Sequence, residues 1–446
     1  MSPAWQAIRG AGAAPRPAVR WRILAVLFGV SFLAYIFRLN LSVAGQAIKF
    51  ELGLSDVQVG WILSSFIWGY TLFQFPGGIF GQRLGPRRAL AILVLVWTSI
   101  TVLTGMAPLL AASSTAVVAA LLVLRFALGA AQAPLFPVVA GTIEAWFPVS
   151  RWAFPNALTS TGLGLGAAVT PPIIAWLMVH LGWRASFYLT APLGLAAAAW
   201  WWFYARDQPR QHPRVLRTEL ELIEAGRGSD RSNAASRGAW KHLLVNRDIL
   251  MLALSYLCMN YVFYIFFSWF FIYLVEVRRF TVLESGFLAS LPFVAGSLAA
   301  ALGGEACDRL CKRLGPRWGC RLPGMAGLLV AAGTLFAGAG AGDPYLAIGL
   351  LSICFASTQF TEGAYWSGTT FVAGRTTAAA TGILNTGGNL GGVIVTPLIP
   401  LLVERFGWLA ALSTGSLFAL IGAALWLLIR VDRSTASGRA GRAGQP

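Results

Sequence analysis

Charge is what this chain has least of: Asp, Glu, Lys and Arg make up 11% of its 446 residues, against about 25% in an average soluble protein. So low a share excludes an ordinary water-soluble globule and points to an integral membrane protein. Acidic residues are scarce even within that total, 17 against 34 basic ones, and histidine occurs three times. His180 and His242 lie near the ends of apolar segments and His212 lies in a polar stretch, so no histidine proton relay is expected. Cysteine is sparse too, and its five residues imply no disulfide framework. Cys258 and Cys354 fall in apolar runs, while the spacing of Cys307, Cys311 and Cys320 fits no zinc pattern, so free thiols are expected rather than a metal centre. The glycine runs at 162–166 and 387–392 follow no strand and precede no lysine. They read as small-residue seams between helices, not phosphate loops. No catalytic constellation stands out, and neither an enzyme nor a cofactor is expected.

What the chain has in quantity is apolar sequence, 57% of residues, punctuated by 49 glycines and 22 prolines. Segments long enough to cross the hydrocarbon core recur at 21–47, 57–81, 88–112, 115–146, 153–180, 184–204, 247–275, 283–304, 321–341, 344–372, 377–403 and 408–429. We refer to them as spans 1 to 12. The expected fold is all-α, twelve transmembrane helices in two six-helix bundles at 21–205 and 247–429. A tail at 1–20, a polar linker at 206–246 and a tail at 430–446 complete the division. The linker piece TELELIEAG reads as a short amphipathic helix on the membrane surface, GRGSDRSNAASRG as flexible, and the small, basic tail after Ile429 as disordered. Arg9, Arg16 and Arg20 resemble the basic region of a signal peptide, but the apolar run behind them is too long, so it reads as a retained first helix.

A net charge of +17 would suggest nucleic acid in a soluble protein. Here most basic residues fall on one side of the expected bilayer, so the lipid bilayer is the partner and no nucleic acid is implied. The positive-inside rule then puts both termini and the central loop in the cytoplasm.

The two halves repeat. At an offset of 226, Gly60, Ser64, Gly77, Gly78, Arg83 and Leu84 fall on Gly286, Ser290, Gly303, Gly304, Arg309 and Leu310, while Gln82 falls on Asp308. The register then slips by four, and GPR at 85–87 recurs at 315–317. At an offset of 225, Thr161, Gly162, Leu165, Gly166, Pro172, Gly182 and Trp183 fall on Thr386, Gly387, Leu390, Gly391, Pro397, Gly407 and Trp408. Six spans separate the copies, so both halves enter the membrane from the same side, a parallel repeat with a substrate site near the midplane between them.

Arg38 lies in the middle of span 1, where an arginine costs roughly 2.5–3.5 kcal/mol on insertion scales and is retained facing a polar cavity or a partner. Arg125 in span 4 is a second such charge. Glu144 is the only acid in the same segments, 19 residues further along span 4, nearly a bilayer away on a continuous helix. Two unpaired guanidinium groups suit an anion, phosphate as well as carboxylate.

The loop GGIFGQRLGPRR at 77–88 resembles the signature of the major facilitator superfamily, matching it at Gly78, Arg83, Gly85, Arg87 and Arg88. Gln82 stands where the family has Asp, although the second copy keeps Asp308 and Arg309. The resemblance implies that Gln82, Arg83, Asp308 and Arg309 belong to a cytoplasmic gate. Within the superfamily, YIFRLNLSVA, SSFIWGYTLFQFPGG, LRFALGAAQAPLFP and GILNTGGNLGGVIVTP resemble the anion:cation symporter branch of sugar-acid and organic-anion carriers. By that resemblance Arg38 and Arg125 attract the anion, Tyr70 lines the cavity and Asn385 bonds substrate hydroxyls. Two family acids are missing, because Phe37 precedes Arg38 and Gln132 occupies the span 4 glutamate position. Gln132 lies two turns beyond Arg125 on the same face, able to line the cavity or to satisfy a neighbouring backbone carbonyl.

One carboxylate remains within the membrane, Glu362 in span 10. Alternating between an apolar setting and a nearby arginine, it would take up and release a proton; held permanently to a base, it would gate. Tyr35, Phe37, Trp68, Tyr264, Trp269 and Trp366 are candidates for the cavity wall. The sequence reading is thus an alternating-access carrier of a small organic anion in a bacterial inner membrane, working as a monomer. Coupling to protons or to a counter-anion, or uniport, stays open, as do an organophosphate or inorganic-anion exchanger and a sensor that binds without turnover.

Overall fold

The computed structural model describes residues 19–110, 113–148, 152–224 and 243–431. Every long element is α-helical, the form that satisfies each backbone group internally when no water is present to do so. Among the described residues, eight helices are long and apolar enough to cross a membrane. Two of them, Val282–Gly340 and Thr377–Leu428, bend back on themselves and carry spans 8 with 9 and 11 with 12. Asp56–Leu84 and Trp183–Tyr204 supply spans 2 and 6. The remaining spans are Val19–Leu52, Pro86–Leu110, Ala153–Leu181 and Arg247–Glu276 for 1, 3, 5 and 7, with 4 and 10 each made of two pieces.

The sequence repeat is a structural repeat. Gly85 and Gly315 turn the chain between spans 2 and 3 and between spans 8 and 9 with φ of 76° and 80°, and Gly182 and Gly407 do so before spans 6 and 12 with φ of 81° and 79°. A side chain is strained at such angles, which is why the two copies share glycine at these corners.

Spans 4 and 10 depart from the single helices expected over 115–146 and 344–372. The first divides into Ser114–Gln132 and Leu135–Trp146, the second into Pro344–Phe360 and Glu362–Ala373. Pro134 accounts for the first break, since it lacks an N–H and its ring crowds the preceding turn. The second break has no proline. There the Thr358 and Thr361 hydroxyls bond to Phe355 and Thr358 carbonyls at 2.7 and 2.6 Å, competing with the helical ladder. Symmetry again relates the two, because Gly77 of span 2 packs on Pro134 and Gly303 of span 8 on the Phe360 backbone.

Within each half the glycine runs act as seams. Gly162 and Gly166 face the backbone of Phe28 and Phe32, and Gly387 and Gly391 face that of Ala253 and Leu257, so span 5 lies against span 1 and span 11 against span 7. The halves meet along spans 2 and 11 and along spans 5 and 8. Gly60 contacts Thr396, Pro397 and Pro400, Ser64 Oγ donates to the Val393 carbonyl, and Gly286 contacts Pro171, Pro172 and Ala175.

We call the face that carries the 2–3 and 8–9 corners and the central linker the basic face. There Arg217–Glu224 forms the short helix expected from TELELIEAG, but it docks on protein. Glu219 is buried and accepts from the backbone N–H groups of Val19 and Arg20, both at 3.1 Å, capping span 1. Asp207 similarly accepts from Arg87 N at the start of span 3, at 2.8 Å. His212 packs between Trp146 and Tyr204, and burial, reinforced by the Arg206 cation, holds its imidazole below the usual range. The stretch expected to be flexible and the tail after Ile429 fall, apart from Arg430 and Val431, outside the described residues, as do most of residues 1–20.

Candidate anion site and gates

Arg38 sits midway along span 1 and is 5% exposed. Three aromatic rings surround its guanidinium, Tyr70 at 4.5 Å and Tyr35 and Phe66 at 4.9 Å from their centres. Rings so placed contribute up to about 2 kcal/mol each when water is excluded. Its Nε donates to Gln132 Oε1 at 3.3 Å, and Gln132 Nε2 donates to the Ala34 carbonyl at 3.1 Å. Of the two roles open to it from the sequence, Gln132 takes the second, satisfying a backbone carbonyl of span 1 while its oxygen accepts from Arg38.

Arg125 is buried beside this group, its Nη2 donating to the Arg38 carbonyl at 3.2 Å and its guanidinium 4.9 Å from the same Phe66 ring. Its Nε has no partner. Among the described residues no carboxylate forms an ion pair with Arg38 or Arg125. Glu144 lies beyond the break in span 4, in the second helical piece.

The second half completes the enclosure. Tyr35 packs edge-on against Phe267 of span 7, and Tyr264 packs edge-on against the same Phe267 ring, with centres 5.7 Å apart. Tyr264 donates to Asn389 Oδ1 at 3.0 Å, leaving Asn389 Nδ2 buried and unpartnered. Asn385, one turn away, is elsewhere: its Nδ2 donates to Gln74 Oε1 of span 2 at 2.7 Å, joining the halves toward the basic face. The span 11 amide beside the Arg38 enclosure is thus Asn389, and Gln74 is a contact that sequence reasoning did not single out.

Glu362 begins the second piece of span 10. Tyr256 donates to both carboxylate oxygens at 3.1 and 3.3 Å, and Trp366 Nε1 donates to Oε2 at 2.7 Å. No basic side chain among the described residues pairs with it, so the permanent ion pair considered from sequence is not what holds it. The Trp366 partnership was legible as an i, i+4 pair; Tyr256, from span 7, was not.

Of the other wall candidates, Phe37 turns away into the first bundle against Trp97 at 6.4 Å, Trp269 is buried and donates to the Thr396 carbonyl at 3.0 Å, and Trp68 is 39% exposed. The residues expected at a gate are dispersed. Arg83 and Asp308 are exposed, and Arg309 pairs with Glu305 of its own turn at 2.7 Å. The side chain of Gln82 lies outside the described residues.

At the opposite face Lys49, ending span 1, bridges Asp56 of span 2 at 2.6 Å and Glu276 of span 7 at 3.0 Å, tying the halves together. These side chains are 17–30% exposed, so the link is worth about 1 kcal/mol. Lys49→Ala is expected to shift the halves toward opening at this face by about fivefold. Faster thiol labelling of a Ser64→Cys background from that face would register the shift, and an unchanged rate would contradict it.

Among the described residues, twelve apolar spans in two repeated halves, the first of which buries two arginines, are the architecture of a multi-pass membrane transporter rather than an enzyme. The profile described as Major Facilitator Superfamily matches residues 27–356, and the chain belongs to that superfamily. It is 32% identical to a probable sulfoacetate transporter of Cupriavidus necator, over 87% of this chain and 88% of that protein. It is 30% identical to a probable galactarate/D-glucarate transporter of Bacillus subtilis, over 87% and 86%. These relatives bear out the resemblance to the anion:cation symporter branch. In fold it is similar to a bacterial homologue of the human lysosomal transporter Spinster in an inward-facing, unoccupied conformation, with a TM-score of 0.71, 20% identity, and coverage of 94% of this chain and 98% of that one.

Proposed function

We propose that the protein carries a small organic anion, a carboxylate such as a sugar acid, by alternating access across a bacterial inner membrane, with its basic face toward the cytoplasm. The observation that carries this reading is the pair of buried guanidinium groups without a carboxylate. Burying a charge costs several kcal/mol unless it is paired, and an anion supplies the missing partner. Arg38 and Arg125 would hold the acid group, with Arg125 Nε a donor left free for it. Tyr70 and Tyr35 would wall the site, and Gln132 and Asn389 would meet substrate hydroxyls. Asn385 would act with Gln74 as part of the closure toward the basic face. The substrates for which these relatives are named, sulfoacetate and the sugar acids galactarate and D-glucarate, are of this chemical class.

Transport then requires the Lys49–Glu276 link and the Gln74–Asn385 link to break alternately as the halves rock. Glu362 is the group we assign to proton coupling, since it is a carboxylate within the membrane span that neutral donors alone, Tyr256 and Trp366, hold.

Purified protein screened by thermal shift against sugar acids, sulfonates, phosphate esters and organic cations should respond to one anion class, by about 2.7 kcal/mol at a hundredfold excess over Kd. Counterflow of that anion in reconstituted vesicles would separate a carrier from a sensor. Stabilisation by cations alone would sink the reading. For Glu362→Gln we expect uptake driven by a proton gradient to fall at least tenfold while counterflow continues. Equal loss of both would make Glu362 a structural or gating residue instead.

A further inference from the structure

Cys307, Cys311 and Cys320 are far apart in any zinc signature, yet the fold gathers them. Cys307 and Cys311 are one turn apart near the basic end of span 8, so both sulfurs leave the same face. The reversal at Gly315 starts span 9 back along it, and Gly319 lets that helix approach until a Cβ at 319 would overlap the Cys311 backbone. Cys320 is thereby delivered to the other two.

The three Sγ atoms form a nearly equilateral triangle with edges of 4.0, 3.9 and 3.8 Å. Sulfurs at ~2.3 Å from one ion stand ~3.8 Å apart on a tetrahedral face and ~4.0 Å apart in a flat triangle, so the spacing fits a single thiolate-bound cation. It is too long for any S–S bond, which measures about 2.04 Å. Cys307 and Cys320 are fully buried and Cys311 is partly exposed, which leaves an entry path. Three thiolates on a divalent ion carry a net negative charge, and Arg309, Lys312, Arg313, Arg317 and Arg321 surround them in sequence against the two acids Glu305 and Asp308.

We propose that this triad binds one thiophilic closed-shell cation of the Zn(II) class, clamping spans 8 and 9 at the corner that repeats the 2–3 loop. Soft thiolates select such ions over hard ones such as magnesium or calcium. Binding releases the three thiol protons to solvent and forms three metal–sulfur bonds without change of oxidation state. A bound ion would stiffen the gate corner of the second half, so thiol ligation and transport rate would be linked.

The test uses the full-length protein, reduced and stripped with a chelator, titrated with Cd(II). A thiolate-to-metal charge-transfer absorption saturating at one ion per chain, displaced by Zn(II), is the expected result. Mass spectrometry should show the three thiols protected from alkylation by the ion while Cys258 and Cys354 gain no protection. Cys307→Ser should weaken binding at least a hundredfold, and Cys311→Ser, at the partly exposed position, does the same with little risk to folding. No saturating absorption, absorption unchanged in both variants, or formation of a disulfide within the triad in place of ion uptake would each overturn the proposal.

Discussion

Replacing Arg38 by alanine is expected to abolish substrate stabilisation and to reduce uptake by two to three orders of magnitude. Truncating one member of a buried, hydrogen-bonded charge pair costs about 2–5 kcal/mol, and the substrate would lose that amount here. Lysine should not rescue. The ammonium lacks the planar fork that can engage an acid group while lying against three rings, and it would leave Gln132 Oε1 without its Nε donor. Arg125→Lys should resemble Arg38→Lys in transport. The measurement is initial uptake in vesicles at matched protein density, with circular dichroism to confirm folding. Retention of uptake within threefold in Arg38→Ala would return this arginine to a structural role.

The second large effect is on stability, and it needs only one methyl group. Gly129 of span 4 faces the Phe66 carbonyl and the Tyr70 backbone of span 2, and a Cβ there would overlap that carbonyl. Backbone cannot step aside as the tip of a side chain can, so Gly129→Ala should cost about 3 kcal/mol, at the upper end for overpacking. It should also displace Phe66 and Tyr70, the rings that hold Arg38, so binding and stability should fall together. Gly333→Ala, with open space around the added carbon, is the control and should leave both unchanged. Equal melting temperatures for the two variants would mean that spans 2 and 4 are not in the contact described.

The repeat explains why so much of the fold was legible. Apolar runs set the number of spans and coincident Gly, Pro and Arg positions set their relation, with corner glycines 182 and 407 at constant offset and 85 and 315 aligned after a four-residue slip. The breaks in spans 4 and 10 were not visible to hydropathy, because both pieces of each span are apolar; Pro134 was a readable warning, Thr358 and Thr361 were not. At the site, Arg38, Tyr70, Arg125 and Gln132 come together within one bundle, where residues on one helix face converge on one axis. Asn385 and Asn389 differ by a single turn, and only the packing of span 11 on span 7 decides which of them neighbours Tyr264. Phe37 shows the same limit, adjacent to Arg38 in sequence and on the other side of the helix. Cys320 joins its partners through a reversal whose tightness depends on Gly315 and Gly319 together, beyond the reach of any spacing rule.

The segment between the bundles has a practical bearing for anyone who divides the molecule. Asp207 and Glu219 close the exposed N–H ends of spans 3 and 1, so residues 206–224 are in effect the last part of the first bundle. A first half ending at residue 205 would lose both caps and start two helices with open donors. Split after Glu224, the two fragments would each keep their own helix ends, and co-expression from that junction is the natural design for a complementation assay of how the halves associate.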